Sequence, residues 1–214
     1  MKITVIGANG NLGRRVTRQA LDRGHQVVAV MRHGEAPDER AVVLKKSLFD
    51  MTRQDVEDSD VIISAFGSGF EVDPSVNLDA FRKYIELAYG SRKHLIAIGG
   101  AGSLFTDETH KAYEYEGKDY PGFLRGVSMN IKLGIDELSK TEKLNWTAVC
   151  PSRSFDPDGA FTGDYLIGTE GEVIYNEEGS SYVTYDDLAK AMLDIAEDNS
   201  YQRRKITVAT RRGK

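Results

Sequence analysis

Short apolar runs alternate with amphipathic segments along the chain. The first run, KITVIG, is rich in β-branched residues and ends at Gly7. Runs of this length that stop at glycine or at polar residues are typical of buried strands. Seven segments share the pattern and are predicted to be strands: KITVIG, HQVVAVM, AVVL, DVIISAFG, KHLIAIGG, WTAVCP and KITVAT.

The segments between these runs place apolar residues at helical spacing. Leu12, Val16 and Ala20 recur every four residues after the first strand, and Gly24 follows as a helix stop. A brief helix is predicted after Thr52, whose hydroxyl is suited to capping its first N–H groups. Three longer helices are predicted at SVNLDAFRKYIELA, VSMNIKLGIDELSKT and YDDLAKAMLDIAED.

This order of elements predicts an α/β fold with a mostly parallel, doubly wound sheet. Strands that alternate with helices favour right-handed βαβ units, which place helices on both faces of the sheet. Residues 1–214 are expected to form a single domain, with a small annex at 152–183. Within the annex, GDYLIG and GEVIYN flank Thr169 and Glu170, which suggests a hairpin.

Three glycines stand where the first strand meets the first helix, in the segment VIGANGNLGRR. Gly7 permits a tight turn, Gly10 lets the backbone approach a pyrophosphate, and Gly13 lets the helix pack on the sheet. The free N–H groups at the helix start would face the anion, and Asn9 and Asn11 add amide donors. A glycine-rich turn without a ligand is the alternative. The context predicts a Rossmann-like dinucleotide site, with the annex over its cleft.

The end of the second strand bears on which dinucleotide is bound. NAD sites usually place an acid there to hold the ribose hydroxyls. This chain has Arg32 and His33 in that window, and the first acid is Glu35. An arginine suits a 2′-phosphate through charge-assisted hydrogen bonds. The pattern favours NADP over NAD, although Arg32 as a merely exposed cation is the competing interpretation.

Composition excludes several other classes of site. The formal net charge of −5 and the pI of about 5.5 argue against a nucleic-acid partner. With Cys150 as the only cysteine, an intramolecular disulfide is impossible, and the four histidines lack metal-site spacing. No apolar stretch approaches the ~20 residues that span a bilayer, and MKITVIG does not resemble a leader. We expect a soluble cytoplasmic protein without metal.

Three motifs carry a resemblance to a known family. GANGNLG, SAFG after the fourth strand and IGGAGSL after the fifth resemble the atypical short-chain dehydrogenase/reductases. The most similar branch is the NmrA-like group, which holds NADH-flavin reductases and proteins of the biliverdin reductase B type. The segments LNWTAVCPSRSFDP, TGDYLIGTEG and SSYVTYDDLAKAML resemble the distal half of that branch in the same order. The resemblance therefore spans essentially the whole chain.

The resemblance implies a set of cofactor contacts from five segments. They are Gly7, Asn9, Gly10, Asn11, Leu12 and Gly13 at the phosphates, Arg32 with His33 at the adenosine ribose, Leu48 and Phe49 at the adenine, Ser64, Ala65, Phe66 and Gly67 beneath the nicotinamide ribose, and Gly99 and Pro151 at the ends of the next two strands. Ser47 stands where the branch usually has an acid that bonds the adenine amine.

The tyrosine acid of the wider superfamily is missing from its usual helix. Its Tyr-x-x-x-Lys spacing occurs at Tyr89 and at Tyr201, but neither lies on the helix after the fifth strand. On that helix Lys132 matches the lysine, whereas Ser128 stands in the tyrosine position. A serine hydroxyl is a far weaker acid than a phenol. Lys132 and Ser103, the nearest hydroxyl after the fifth strand, are the catalytic candidates.

This absence favours chemistry that needs orientation more than an acid. Hydride transfer to a flavin or quinone relies on stacking, and water can supply the proton. Phe105 and Phe155 are the candidate walls for such a planar acceptor, with core packing as their alternative role. A non-enzymatic NAD(P) sensor that acts through a protein partner is the second hypothesis. A homodimer is among the assemblies that the sequence leaves open.

Overall fold

The computed structural model describes residues 1–69 and 72–213. Their strands are β1 (Lys2–Ile6), β2 (Gln26–Met31), β3 (Val42–Lys45), β4 (Val61–Ser64), β5 (His94–Ile98), β6 (Asn145–Pro151), β7 (Ser154–Asp156), β8 (Tyr165–Gly168), β9 (Tyr182–Thr184) and β10 (Arg204–Thr210). Eight of them form one sheet in the order β3-β2-β1-β4-β5-β6-β10-β8. Neighbours are parallel except for β8, which runs antiparallel to β10.

Helices cover both faces of this sheet. The α-helices are α1 (Asn11–Asp22), α2 (Ser75–Ala88), α3 (Gly122–Lys140) and α4 (Tyr185–Asp198). Short 3₁₀ helices occur at Leu48–Asp50, Arg53–Val56, Ala101–Ser103 and Glu114–Glu116. The apolar residues of α1 and α4 belong to one buried cluster, and those of α2 and α3 belong to the other.

The alternation of side chains along each strand builds these two cores. Ile3 and Val5 of β1 join the α1–α4 cluster, whereas Ile6 joins the α2–α3 cluster. The strand order reverses direction between β1 and β4, which creates a crevice at the carboxyl ends of the strands. The predicted Rossmann-like, doubly wound fold is therefore confirmed. Among the described residues, no helix has the length and apolar character required to cross a bilayer.

The observed bounds of two helices agree with the sequence prediction, and two other elements differ from it. The predicted limits of α2 and α4 coincide with the observed ones. Helix α3 begins at Gly122, directly after Pro121, and so starts before the predicted VSMNIKLGIDELSKT segment. The element after Thr52 is a 3₁₀ turn, and the Asp55 carboxylate accepts from the Thr52 backbone N–H at 2.7 Å.

The hairpin predicted within 152–183 is wrong. Strand β8 pairs instead with the free edge of β10, from Thr210 opposite Tyr165 to Thr207 opposite Gly168. The next segment turns away, because the Phe105 backbone N–H donates to the Gly171 carbonyl at 2.9 Å. Strands β7 and β9 form a separate two-stranded parallel sheet. The edge of β10 competes with the segment after β8 for pairing with β8, and the sequence pattern does not show which of the two partners is preferred.

Candidate functional site

The corner between β1 and α1 has room only for bare backbone. A Cβ at position 13 would lie 2.1 Å from the Gly7 carbonyl oxygen, and one at position 10 would lie 3.3 Å from it. Gly7 adopts φ +77°, and a Cβ there would lie 3.1 Å from the Ala65 carbonyl oxygen. The glycine corner and the segment after β4 therefore lie side by side, as the predicted contact set requires.

The first turn of α1 is free to receive an anion. Gly10 occupies the N-cap in an extended conformation, no side chain caps the helix, and its first turn holds no acidic residue. The first N–H groups of an α-helix have no acceptor within the helix, and they and the helix dipole favour negative charge there. The residues at this corner thus fit a diphosphate.

Two arginines border the end of β2. The Asn9 side-chain amide donates to the His33 carbonyl oxygen at 2.8 Å, and the Arg14 guanidinium donates to the Asn9 carbonyl oxygen at 2.8 Å. Arg32 is exposed and the described chain gives it no hydrogen bond or ion pair. This rim therefore presents cationic groups beside the glycine corner.

The predicted adenine segment reaches the segment after β4. Leu48 is buried, while Phe49 is 39% exposed and contacts the Phe66 ring edge to face at 6.0 Å between centroids. The Ser47 hydroxyl accepts from the Phe49 backbone N–H at 3.3 Å, so it caps the 3₁₀ turn. The buried Ser64 hydroxyl donates to the phenol oxygen of Tyr84 at 2.7 Å. Of the Ser64–Gly67 set, Phe66 and Gly67 line the cavity described next.

A cavity of about 1030 Å³ opens at the carboxyl ends of β4, β5 and β6. Four of the residues predicted to contact the cofactor line this cavity: Phe66, Gly67, Gly99 and Pro151. Its volume is at the upper end of those typical of small-molecule sites. The cavity therefore continues the cofactor crevice toward the side where a second ligand would bind.

The cavity lining includes an aromatic pair and a run of small residues at 99–102. Phe155 and Tyr185 stack with ring centroids 3.6 Å apart and planes 1° from parallel. Gly99 lies so close to β6 that a Cβ would be 2.4 Å from the Cys150 Sγ atom. Burial raises the pKa of the Cys150 thiol. The predicted wall residue Phe155 thus lies at the cavity.

The structure does not bring Lys132, Ser103 or Phe105 to the described lining of the cavity. The Lys132 ammonium donates to the Asp136 carboxylate at 2.6 Å, and that hydrogen bond raises the pKa of Lys132. The buried Ser103 hydroxyl donates to the Gly100 carbonyl at 2.7 Å. These bonds occupy both predicted catalytic groups, so a catalytic role for either stays a prediction.

Phe105 belongs to a separate aromatic stack. Its ring lies 4.4 Å from the ring of His110 and 4.7 Å from that of Tyr113, measured between centroids. The Lys205 ammonium lies 4.0 Å from the Phe105 centroid, and burial lowers the pKa of this lysine. The packing interpretation of Phe105 therefore fits the structure better than the acceptor wall.

Sequence reasoning missed two side-chain pairs at the cavity. The phenol oxygen of Tyr120 lies 2.7 Å from the Ser128 Oγ atom, and both residues line the cavity. At the cavity margin the guanidinium of Arg153 forms an ion pair with the Glu114 carboxylate and donates to the phenol oxygen of Tyr175 at 2.8 Å. The signal available was the density of Tyr, Glu and Lys residues between 103 and 122.

Comparisons with known proteins agree with this architecture. The uncharacterized Bacillus subtilis (strain 168) protein YwnB is 32% identical over 212 residues, which is 98% of this chain and 99% of that protein. A solved Streptococcus pneumoniae TIGR4 protein named "putative NADH-flavin reductase" is 31% identical, with a TM-score of 0.92 over 98% of this chain and 99% of its own. Escherichia coli O157:H7 ChuY, named an anaerobillin reductase, shares the fold at 18% identity, with a TM-score of 0.76 over 100% of this chain and 99% of its own.

A family model described as NAD(P)H-binding matches residues 7–199, which include the glycine corner and most of the cavity. The match confirms the family resemblance drawn from GANGNLG and the two strand-end motifs. It also agrees with the geometry of the β1–α1 corner, where bare backbone and free N–H groups fit a diphosphate. The chain therefore belongs to the NAD(P)H-binding family.

Proposed function

We propose that the chain is an NAD(P)H-dependent reductase that transfers hydride to a flat acceptor such as a flavin or a quinone. The observation that carries this proposal is the cavity next to the predicted nicotinamide segment. The stacked pair of Phe155 and Tyr185 lines this space together with the small residues Gly99 and Gly100. Small residues next to an aromatic pair leave room for a planar ring. The name of the streptococcal relative agrees with this chemistry.

The chain's own residues bind and orient both reactants. Backbone N–H groups near Asn11 hold the diphosphate, and the glycine corner lets the backbone approach it closely. When bound, the dinucleotide supplies the hydride. The segment of Phe66 and Gly67 and the end of β6 at Pro151 hold the reacting end of the cofactor beside the cavity. Orientation within this crevice is the main catalytic contribution.

NADPH is the cofactor we propose, with NADH as the alternative. The 2′-phosphate distinguishes the two dinucleotides, and it would lie at the end of β2. Arg32 is exposed there. Arg14 is close by, since its guanidinium donates to the Asn9 carbonyl oxygen and the Asn9 side chain donates to the His33 carbonyl oxygen. A guanidinium binds phosphate through charge-assisted hydrogen bonds.

A cofactor sensor is the second candidate function. It is favoured by the position of Lys132 and Ser103, because neither predicted catalytic group belongs to the described lining of the cavity. A sensor binds oxidised and reduced dinucleotide with different affinities and shows no turnover. Consumption of dinucleotide that depends on an acceptor would contradict it.

The test combines cofactor titration with an acceptor panel. NADPH and NADH are titrated by calorimetry, and the loss of reduced-nicotinamide absorbance is then followed with FMN, riboflavin and a quinone. Tight NADPH binding together with acceptor-dependent oxidation supports the proposal. Binding without oxidation across the panel supports the sensor, and no binding at all overturns both functions.

A further inference from the structure

We propose that Tyr120 is the proton donor of this site and that its acceptor is a planar conjugated carbonyl compound or quinone. The inference rests on the proposed reductase function and narrows its substrate class. Ser128 occupies the position on α3 where the family resemblance implies a tyrosine. The Tyr120 phenol, from the loop before α3, lies 2.7 Å from the Ser128 Oγ atom. The loop thus brings a phenol to the place where the helix lacks one.

The backbone at Gly102 leaves room for this pair of hydroxyls. A Cβ at position 102 would lie 2.3 Å from the Ser128 Oγ atom and 2.4 Å from the phenol oxygen of Tyr120. Any larger residue at this position would have to displace both groups. Gly102, Tyr120 and Ser128 all line the cavity, so the phenol lies on the acceptor side of the crevice.

The loop that carries Tyr120 is held at several points. The Tyr120 backbone N–H donates to the Gly117 carbonyl at 3.2 Å, and the Arg125 guanidinium donates to the same carbonyl at 2.6 Å. The Glu114 carboxylate pairs with Arg153, two residues after β6. These contacts hold the loop against α3 and against the segment after β6, and a proton donor needs to be positioned in this way.

The step balances with a nicotinamide dinucleotide as the two-electron reductant. Hydride from the reduced dinucleotide forms the new C–H bond at the acceptor carbonyl carbon, and the carbonyl π pair moves onto oxygen. The O–H bond of Tyr120 breaks as that oxygen takes the proton, and solvent water returns a proton to the phenolate. Ser128 donates to the phenolate oxygen in the meantime. A flavin is different, since hydride transfer to its ring nitrogen yields a stable anion that needs no proton from the protein.

The experiment compares two acceptors in the 214-residue chain. NADPH oxidation is followed with phenanthrenequinone and, separately, with FMN, for the wild type and Tyr120→Phe. The variant keeps the ring and loses only the hydroxyl. We expect it to lose about a hundredfold or more of kcat with the quinone, in the range of general acid catalysis. Its FMN rate should stay close to that of the wild type.

Two further variants separate proton donation from structure. Tyr115→Phe is the matched control, because Tyr115 stacks on Tyr113 and does not line the described cavity. It should keep both rates. Ser128→Ala retains the phenol and should lose less quinone activity than Tyr120→Phe. Equal losses with both acceptors in Tyr120→Phe, no loss with the quinone, or a greater loss in Ser128→Ala would each overturn the assignment.

A binding measurement distinguishes failure of this proposal from failure of the proposed function. The dissociation constant of phenanthrenequinone is measured by fluorescence quenching with NADP⁺ present, where no turnover occurs. Loss of one hydrogen bond should weaken binding to Tyr120→Phe by about 2- to 12-fold. If the wild type consumes no NADPH with either acceptor, the reductase function fails by itself. If the wild type does turn over, the kcat comparison decides the role of Tyr120; if it does not, equal quinone affinity of wild type and Tyr120→Phe overturns that role.

Discussion

The glycine corner and the cavity are built in opposite ways. The corner comes from one contiguous stretch, Gly7–Gly13, and depends on backbone geometry. The cavity combines residues from α2, α3, the ends of β5 and β6, the segment after β4, the loop before α3, and the start of α4. A site of the first kind tolerates few changes, and its support from distant residues comes mainly from backbone atoms, such as the Val30 carbonyl that accepts from the Gly7 and Ala8 N–H groups at 3.1 Å. A site of the second kind depends on long-range contacts, so its weak points lie far from the ligand.

Gly13→Val should produce the largest effect and should damage the corner directly. The nearest atoms to a Cβ at this position are backbone atoms, the Gly7 carbonyl oxygen at 2.1 Å and the Ala8 Cα at 2.8 Å. Backbone cannot rotate away, so we expect a loss of about 3 kcal/mol or more in the free energy of unfolding. Chemical denaturation and NADPH titration measure the two consequences.

Gly122→Ala is the matched control for that substitution. No atom lies within 4 Å of a Cβ at position 122, and this glycine begins α3 away from the corner. It should keep both stability and dinucleotide affinity. A Gly13→Val protein that binds NADPH like the wild type would show that the corner is not the phosphate site.

Asp187→Ala tests the long-range support of the distal region. The buried carboxylate accepts from the backbone N–H groups of Thr162 and Gly163 at 3.0 and 2.9 Å, and from the Thr210 hydroxyl at 2.7 Å. Its removal leaves several donors without a partner, so the free energy of unfolding should fall by about 2–3 kcal/mol. Hydrogen exchange should rise first in residues 160–165. Uniform exchange along the chain would contradict a local anchor.

The His94 side chain should make the stability of the fold decrease in acid, although it lies away from the glycine corner and the cavity. It lies at the start of β5, and burial lowers its pKa to about 4. Between about pH 6.5 and 4, His94 is protonated in the unfolded chain but stays neutral in the folded chain. The free energy of unfolding therefore falls as the pH drops below about 6.5. Between about pH 7 and 5 the loss should reach about 2 kcal/mol.

Denaturation midpoints of His94→Gln across this range check the expectation. The variant should lack the acid-dependent decrease, whereas His33→Gln, at an exposed position, should retain it. The same decrease in His94→Gln as in the wild type would assign the acid sensitivity to other groups.

The two regions also differ in how far the sequence predicts them. Gly7, Gly10 and Gly13 are predictable because their spacing reports a local conformation, and α2 and α4 are predictable from apolar periodicity. The pairing of β8 with β10 was not predictable, because β10 and the following GEVIYN segment are both possible partners of β8. The approach of Tyr120 to Ser128 depends on the conformation of an irregular loop. That conformation is set by contacts such as Glu114 with Arg153, far apart in sequence.

Arg32→Ala sharpens the choice of cofactor at the corner. If the guanidinium binds the 2′-phosphate, NADPH affinity should fall by about 1.5 kcal/mol or more, close to tenfold, while NADH affinity stays unchanged. Arg18→Ala removes the same charge from α1 at a side chain that donates to the Pro37 carbonyl at 3.1 Å. That control should leave both affinities unchanged. Equal losses for NADPH and NADH in Arg32→Ala would contradict the 2′-phosphate assignment.

Arg153→Ala should have the smallest effect on stability and a selective effect on the cavity. The Arg153 side chain is 44% exposed, and an ion pair in such a position contributes about 0–1 kcal/mol to folding. Its partner Glu114 belongs to the loop that carries Tyr120, so loss of the pair should loosen that loop more than the protein as a whole. Limited proteolysis should cut faster between 106 and 121 at an unchanged denaturation midpoint. Arg82→Ala breaks an exposed pair with Glu137 between α2 and α3 and should leave the loop protected. If both variants are cleaved alike, the loop does not rely on Arg153, and the cavity is less dependent on distant contacts than the comparison with the glycine corner indicates.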